Sequence, residues 1–378
     1  MFKALFWVFL LYFEVQGLDS KIIRKGGRLR RKYPASCHQL NLKVQPVSPS
    51  HLFLRTARPV IISKRGRTDL FQENTKEGVI SAICDLGVEA VEYDVAKTKD
   101  DKLILFNDGN TKRMTGVNKV VAESTYEELQ KLDIMKEIHF GGKIFNYDQT
   151  RKIPLFEDVL LATRQYKVVH FIEMVPYLPF TGDTIEAAKT GQLVAAMVTR
   201  LGMVNNVFVM SSDFRKVAAA KAANPQISTV ALFGSPGLLF PKAVYVKEFE
   251  KAGELSRLTG APNPFTAIEQ CIKDSPDSTE EFFDFVVNHG IIFKAIGVSF
   301  LGLDFPVYQR NPKLLRIFRR NYGKKISAGI GTLYDQEKSE DQNKVDEKTL
   351  LRLLADRKGT LQRILTDDVP RLRRLLCV

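Results

Sequence analysis

The chain has 378 residues, 44% hydrophobic and 26% charged, a composition that excludes a disordered, collagen-like or polytopic membrane protein. The length suits one large α/β barrel behind a leader. Its formal charge of +13 is concentrated in one place: Ser20 to Thr68 holds thirteen Lys or Arg and no Asp or Glu, and the chain beyond is nearly neutral, so nucleic acid is set aside as a partner.

At the start, Lys3 precedes the apolar run Ala4 to Phe13, then Glu14, with Val15 and Gly17 suiting a small-residue cleavage site. Residues 1–17 therefore read as a signal peptide, since the apolar run is too short to span a bilayer. Residues 18–58 form a basic leader or arm, free of acids from Ser20 onward. It reads as a transit-type second leader, as a propeptide cut at Arg28-Leu29-Arg30-Arg31, or most simply as a flexible arm touching anionic lipid. The expected location is the secretory pathway, secreted or in an endomembrane lumen; the alternative is an organelle reached through a signal-plus-transit leader. The cysteines, Cys37, Cys84, Cys271 and Cys377, lack metal-ligand spacing. Cys84 is expected to pack inside a helix. A Cys37 to Cys377 or similar bridge is allowed by an oxidising compartment but not fixed by the sequence.

From Pro59 onward, short β-branched or apolar runs alternate with helical periods, the pattern of β/α units around a parallel sheet. Strands are predicted at Val60 to Ile62, Val91 to Val95, Leu103 to Phe106, Val168 to Met174, Val207 to Met210, Thr229 to Leu232, Ala295 to Val298, Lys325 to Ala328 and Leu361 to Leu365. That is one more than a barrel needs, and Leu103 to Phe106 follows too closely for a helical crossover, so it suits a hairpin arm. Helices are predicted at Thr75 to Leu86, Phe156 to Tyr166, Thr184 to Leu201, Asp213 to Ala223, Pro312 to Asn321 and Glu347 to Asp356, several closed by glycine. The fold class is α/β, a TIM-type (β/α)8 barrel over 59–378, with an insertion at about 233–277 placed to lid the mouth.

In Ala90-Val91-Glu92-Tyr93-Asp94-Val95 strand alternation puts Glu92 and Asp94 on one face. A third acid, Glu173, ends the strand Phe171-Ile172-Glu173-Met174. Three strand-end carboxylates can hold a divalent metal, Mg²⁺ or Ca²⁺, and leave room for water and a phosphate oxygen. The competing reading is salt bridges to inward Lys64 and Arg65.

Pro59-Val60-Ile61-Ile62-Ser63-Lys64-Arg65-Gly66, Glu73-Asn74-Thr75, Glu92-Tyr93-Asp94-Val95, Thr98-Lys99-Asp100, Asn107-Asp108 and Lys112-Arg113-Met114-Thr115-Gly116 resemble, in order and spacing, the opening of a glycerophosphodiester phosphodiesterase. Ile153-Pro154-Leu155-Phe156-Glu157-Asp158, Ile172-Glu173, Ser212-Asp213-Phe214 and Leu365-Thr366-Asp367 extend the resemblance to about Leu376. It implies a phosphoric diester hydrolase of lipid metabolism acting on a glycerophosphodiester or lysophospholipid. The metal would lie on Glu92, Asp94 and Glu173, and the substrate phosphate on Arg65.

The resemblance also implies two catalytic histidines, in His-Arg-Gly and His-Asp motifs, and here those positions are Lys64 and Asn107. The Lys that commonly follows the third acid by two residues is Val175. Lys64 remains a proton donor and a phosphate-binding cation, whereas the Asn107 amide cannot exchange a proton near neutral pH. Rescue by His139, ahead of the third-acid strand, by His170, on its opposite face, or by His289, at a helix end, is disfavoured. Weak or altered phosphodiester hydrolysis is therefore expected, the alternative being a pseudoenzyme that binds a phosphate ester, lipid or partner. Leu232 to Pro241 is read as a buried loop in preference to a membrane-touching lip, and the basic helix around Arg316 as a solvated face.

Overall fold

A computed structural model describes residues 34–38, 40, 46–55, 59–175, 184–233, 242–243, 246, 250, 265–310, 313–317, 327–355 and 361–378. The expected signal peptide, most of the basic arm, most of the insertion with its apolar stretch, and half of the helix expected at Pro312 to Asn321 lie outside the described residues. No helix among the described residues is long and apolar enough to cross a membrane.

The strands are β1 (Val60–Ser63), β2 (Ala90–Lys97), β3 (Leu103–Leu105), β4 (Asp133–Ile134), β5 (Glu137–Phe140), β6 (Lys143–Asn146), β7 (Arg151–Lys152), β8 (Val169–Met174), β9 (Val207–Ser211), β10 (Ser228–Phe233), β11 (Phe300–Asp304), β12 (Ser327–Leu333) and β13 (Leu361–Thr366). Eight of them, β1, β2, β8, β9, β10, β11, β12 and β13, pair in parallel in that order, and β1 closes the ring by pairing with both β13 and β2. Helices fill the crossovers, including Lys76–Cys84, Thr184–Arg200, Phe214–Ala223 and Glu340–Ala355. This is the closed (β/α)8 barrel expected from the alternating pattern. β3 is the ninth strand, a hairpin arm pairing antiparallel with the end of β2.

Local chemistry explains the boundaries. Thr75 and Asp213 accept backbone N–H groups of Gly78 and Arg215 and so start the first and third of those helices. The strand expected at Ala295 to Val298 is a correction: Ala295 ends the helix Ile291–Ala295, Gly297 turns at φ +67°, and β11 begins only at Phe300. The apolar run there packs as a helix end, which periodicity cannot separate from a short strand. The helix expected from Glu347 starts at Glu340, because polar Asn343 and Asp346 are buried by hydrogen bonds rather than by an apolar stripe. Cys84 is exposed at a helix end instead of packed, and Cys37 is bridged to Cys271 (Cα–Cα 4.8 Å) while Cys377 stays free.

The floor of the barrel draws on residues before Pro59. Phe53, in the short 3-10 helix Leu52–Arg55, is fully buried and packs edge-on against Phe171, Phe208 and Phe300 at centroid distances of 6.4, 5.3 and 4.7 Å. His51 is buried beside it, its Nε2 2.9 Å from the Val207 carbonyl and its Nδ1 accepting the Phe53 N–H at 3.2 Å. Burial pushes the His51 pKa down to about 4, against the hydrogen bond to Val207. An unfolded imidazole titrates near 6.5, so between those values the unfolded chain binds the extra proton. Stability is therefore lost as pH falls from about 6.5 toward 4, by about 1.4 kcal/mol per unit and about 3 kcal/mol in all. Urea unfolding at pH 7 and pH 4.5 is expected to show wild type losing about 2–3 kcal/mol more than His51→Gln; equal losses would mean that His51 does not titrate in this window.

Candidate active site

Alternation along β2 and β8 aims Glu92, Asp94 and Glu173 into the mouth, with Asp94 and Glu173 direct neighbours in the ladder. Their carboxylate oxygens lie within 4.8 Å of one another, and Glu92 and Asp94 are almost fully buried. Burial, then the charges of Asp94 and Glu173, pushes the Glu92 pKa well above the ordinary carboxylate range. Burial and Asp94 likewise push Glu173 up to about 8. Three crowded oxygen donors that resist ionising together form a set a hard divalent cation fits, because its charge removes the repulsion.

Arg65 and Lys64 diverge. After β1 the chain turns through Arg65 at φ +54° and Gly66 at φ +87°, where any Cβ on Gly66 would stand 2.7 Å from the Gly78 backbone. The turn brings the Arg65 N–H to Glu92 Oε2 at 3.1 Å, and the guanidinium to Asp94 (Nε 2.8 Å) and Glu73 (Nη1 3.3 Å). Asn74, also left-handed at φ +58°, clasps Asp94 twice, accepting its N–H at 2.9 Å and donating to Oδ2 at 2.8 Å. Such strained backbone near a functional cluster persists only where its surroundings fix it. The competing reading is thus half realised: Arg65 is an ion-pair partner of Asp94.

Lys64 instead points toward the ends of β13 and β12, on the side of β1 opposite β2, its Nζ 3.9 Å from Asp335 Oδ1 and 4.0 Å from Asp367 Oδ2. Burial opposes its charge, but Asp367 and Asp335 outweigh burial and the neighbouring Arg65, so its pKa is raised and it stays an ammonium. Asp367, pushed up to about 6 by burial despite Lys64, accepts the Gln336 N–H at 2.9 Å.

Asn107 is half-buried in the loop after β3. The adjoining Asp108 is held by Arg113, whose Nε and Nη2 lie 2.7 and 2.8 Å from its two oxygens, while Nη1 and Nη2 reach Glu73 at 3.0 and 2.7 Å. Burial would raise the Glu73 pKa, yet Arg65 and Arg113 hold it down to about 2. A continuous chain of charge therefore runs from Asp94 through Arg65, Glu73 and Arg113 to Asp108.

The rescue histidines are placed elsewhere. His139 stands exposed on β5, paired with Glu137 at 2.9 Å. His170 is buried on the outward face of β8 against the Tyr93 hydroxyl at 3.1 Å, and burial lowers its pKa to about 4. His289 ends the helix Thr279–His289. Val175 is buried, and its carbonyl accepts the Lys216 ammonium. The partners that single-residue reasoning missed are Glu73, Asn74, Asp108, Arg113 and Asp367, which lie in the quoted motifs without an assigned role, and Asp335, for which the sequence carries no signal.

Comparison with known proteins finds relatives in sequence and in fold. The Bacillus subtilis protein YhdW is 30% identical over 172 residues, covering 46% of this chain and 65% of that protein. The mouse lysophospholipase D GDPD3 is 29% identical over 219 residues, 58% of each chain. The chain thus matches less than two thirds of the length of these curated relatives. A solved Oleispira antarctica phosphodiesterase, in complex with its product sn-glycerol-3-phosphate, shares the fold with a TM-score of 0.53 and 13% identity, over 85% of this chain and 98% of that one. The model of the glycerophosphoryl diester phosphodiesterase family matches residues 65–257, just over half of the sequence, and the chain belongs to that family.

Proposed function

We propose that this barrel binds a divalent cation, Mg²⁺ or Ca²⁺, on Glu92, Asp94 and Glu173, and a glycerophosphodiester or lysophospholipid beside Arg65 and Lys64, hydrolysing it slowly or in altered form. The carrying observation is that the three acids converge within 4.8 Å while the two positions where the family resemblance implies histidines are Lys64 and Asn107. A bound cation would supply charge for the phosphate oxygens. Hydrolysis adds a water oxygen to phosphorus, breaks the bond from phosphorus to the leaving alcohol, and leaves a proton on that alcohol. Lys64, held charged, stabilises negative charge and can donate a proton; it is a poor acceptor. Asn107 can do neither with a proton, so acid–base assistance worth about 10²–10⁴-fold per group is lost.

The same substitutions favour a second reading, a pseudoenzyme that captures a phosphate ester or lipid without turnover. Both readings place the protein in the secretory pathway or, by way of a second leader, in an organelle, with the basic arm touching a membrane surface. The apolar run Ala4 to Phe13 and the Cys37–Cys271 disulfide, of a kind that persists in oxidising compartments, support the secretory route.

Calorimetric titration with Mg²⁺ and with Ca²⁺ tests the site. Glu92→Ala/Asp94→Ala is expected to weaken binding by ~10²-fold or more, since even outer partners of metal ligands cost 10–100-fold. Unchanged affinity would put the cation elsewhere.

A further inference from the structure

We propose that the β5–β6 hairpin is a lid over the phosphate side of the mouth, closed in this structure and opening to admit the cation and the ester. The inference rests on the proposed function, because the site it regulates is the one built around Glu92, Asp94, Glu173, Arg65 and Lys64. The hairpin touches residues that flank both substituted positions. On one side the Phe140 ring lies under the Arg113 guanidinium, 4.3 Å from centroid to carbon, and Arg113 in turn grips Asp108 next to Asn107. On the other side its tip rests on the loop after β12. A Cβ on Gly141 would stand 2.6 Å from Glu337 Cα and 2.7 Å from the Gln336 carbonyl, so two backbones meet where only glycine fits. Lys143 Nζ adds a hydrogen bond to the Lys338 carbonyl at 2.9 Å.

The loop under the tip is the fixed half. Asn343 ties Asp335 to the helix Glu340–Ala355 through both its amide groups, and Gln336 bonds Thr68 Oγ1 at 3.0 Å and Asp367 Oδ2 at 2.9 Å. This loop also carries Asp335, one of the two counter-ions of Lys64. The side chains of Lys64, Arg65, Asp367 and Asp94 are 12, 10, 6 and 2% exposed, too little for an ester to reach them unless something moves.

The hairpin is the half built to move. Of β5 and β6 only Ile138 is buried; Glu137, His139, Lys143, Ile144 and Asn146 are exposed, and both residues of the turn, Gly141 and Gly142, are exposed glycines at positive φ. A two-stranded ribbon with one buried side chain has little to hold it down beyond the contacts named, and lids are drawn from such low-stability segments.

Amide hydrogen exchange and Tb³⁺ entry together test the lid. In the full chain, β5–β6 amides are expected to exchange about 100-fold faster or more than barrel amides such as that of Phe171. Gly141→Val, which drives the tip off the loop, and Lys143→Ala, which leaves the turn intact, should each speed exchange at the hairpin and at Gln336. Both should raise the association rate of Tb³⁺, followed by tyrosine-sensitised luminescence, by at least about threefold, with Tm unchanged in Lys143→Ala and lowered by only a few degrees in Gly141→Val, whose left-handed backbone is strained. Hairpin amides as protected as the barrel, or Tb³⁺ entry unaltered in both variants, would overturn the lid. If Tb³⁺ binds no form of the protein, the cation site fails, and the exchange pattern alone decides the lid.

Discussion

Lys64→His/Asn107→His is expected to hydrolyse glycerophosphodiesters about 10²-fold faster than wild type, or more. The surroundings of position 64 suit an imidazole, and the backbone at position 107 is flanked by a fixed neighbour. Asp335 and Asp367 stand within 4.0 Å of the Lys64 ammonium, ready to orient a ring and stabilise its charged form. At position 107, the neighbouring Asp108 is fixed by the Arg113 fork, so the loop has little freedom to misplace a new side chain. Each positioned acid or base contributes roughly 10²–10⁴-fold, and groups acting as a unit are not additive, so Lys64→His alone should recover little while position 107 cannot titrate. Initial rates with glycerophosphocholine for the wild type, both single variants and the double variant measure this. A double variant that still binds the cation but gains nothing would show that the pocket no longer fits the ester.

Phe53→Ala is expected to destabilise the barrel by about 3–5 kcal/mol, the range for truncating a fully buried aromatic ring. Phe53 fills the floor against three other phenylalanines, and edge-to-face pairs add about 0.5–1.5 kcal/mol beyond area burial. The residues around it belong to strands on several sides of the barrel, so they cannot collapse into the space left. Leu54→Ala, one residue on and 48% exposed, is the control and should cost less than about 0.5 kcal/mol. Urea unfolding of the two variants would count against an integral floor if they proved equally mild.

The barrel was legible because its parallel strands, buried on both faces, are short apolar runs punctuated by capped helices, and the acids because Glu92 and Asp94 interrupt such a run at a spacing of two. What could not be read is what depends on distant chain. Cys37 and Cys271 are separated by 234 residues and meet through the packing of two short helices, one before the barrel and one late in it. The floor residues His51 and Phe53 sit in a stretch whose basic composition suggests a loose arm, because composition averages over a few residues that plug a hole. Lys64 was legible as a cation, but not its turning away from the metal acids. Asp335 and Asp367, which hold it, lie in loops after β12 and β13 that only barrel closure brings beside β1. Arg65 was expected to meet phosphate, and its engagement with Asp94 and Glu73 reflects a left-handed turn that an arginine's sequence signature does not announce.

The charge chain from Asp94 to Asp108 has a consequence for ligand binding. Under the proposed function Arg65 would meet a phosphate only by sharing itself with Asp94 and Glu73, so cation and ester are expected to bind cooperatively. A cation on Asp94 would free the guanidinium, and an ester on the guanidinium would leave Asp94 to the cation.

The most direct measurement is turnover of glycerophosphocholine, glycerophosphoethanolamine, glycerophosphoinositol and lysophospholipids by the wild-type protein with Mg²⁺, with Ca²⁺ and with chelator, beside Glu92→Ala/Asp94→Ala. Slow, cation-dependent release of product that disappears in the chelated sample and in the variant is expected. Release that persists in either, or a wild-type protein that binds no divalent cation, would contradict the proposed function.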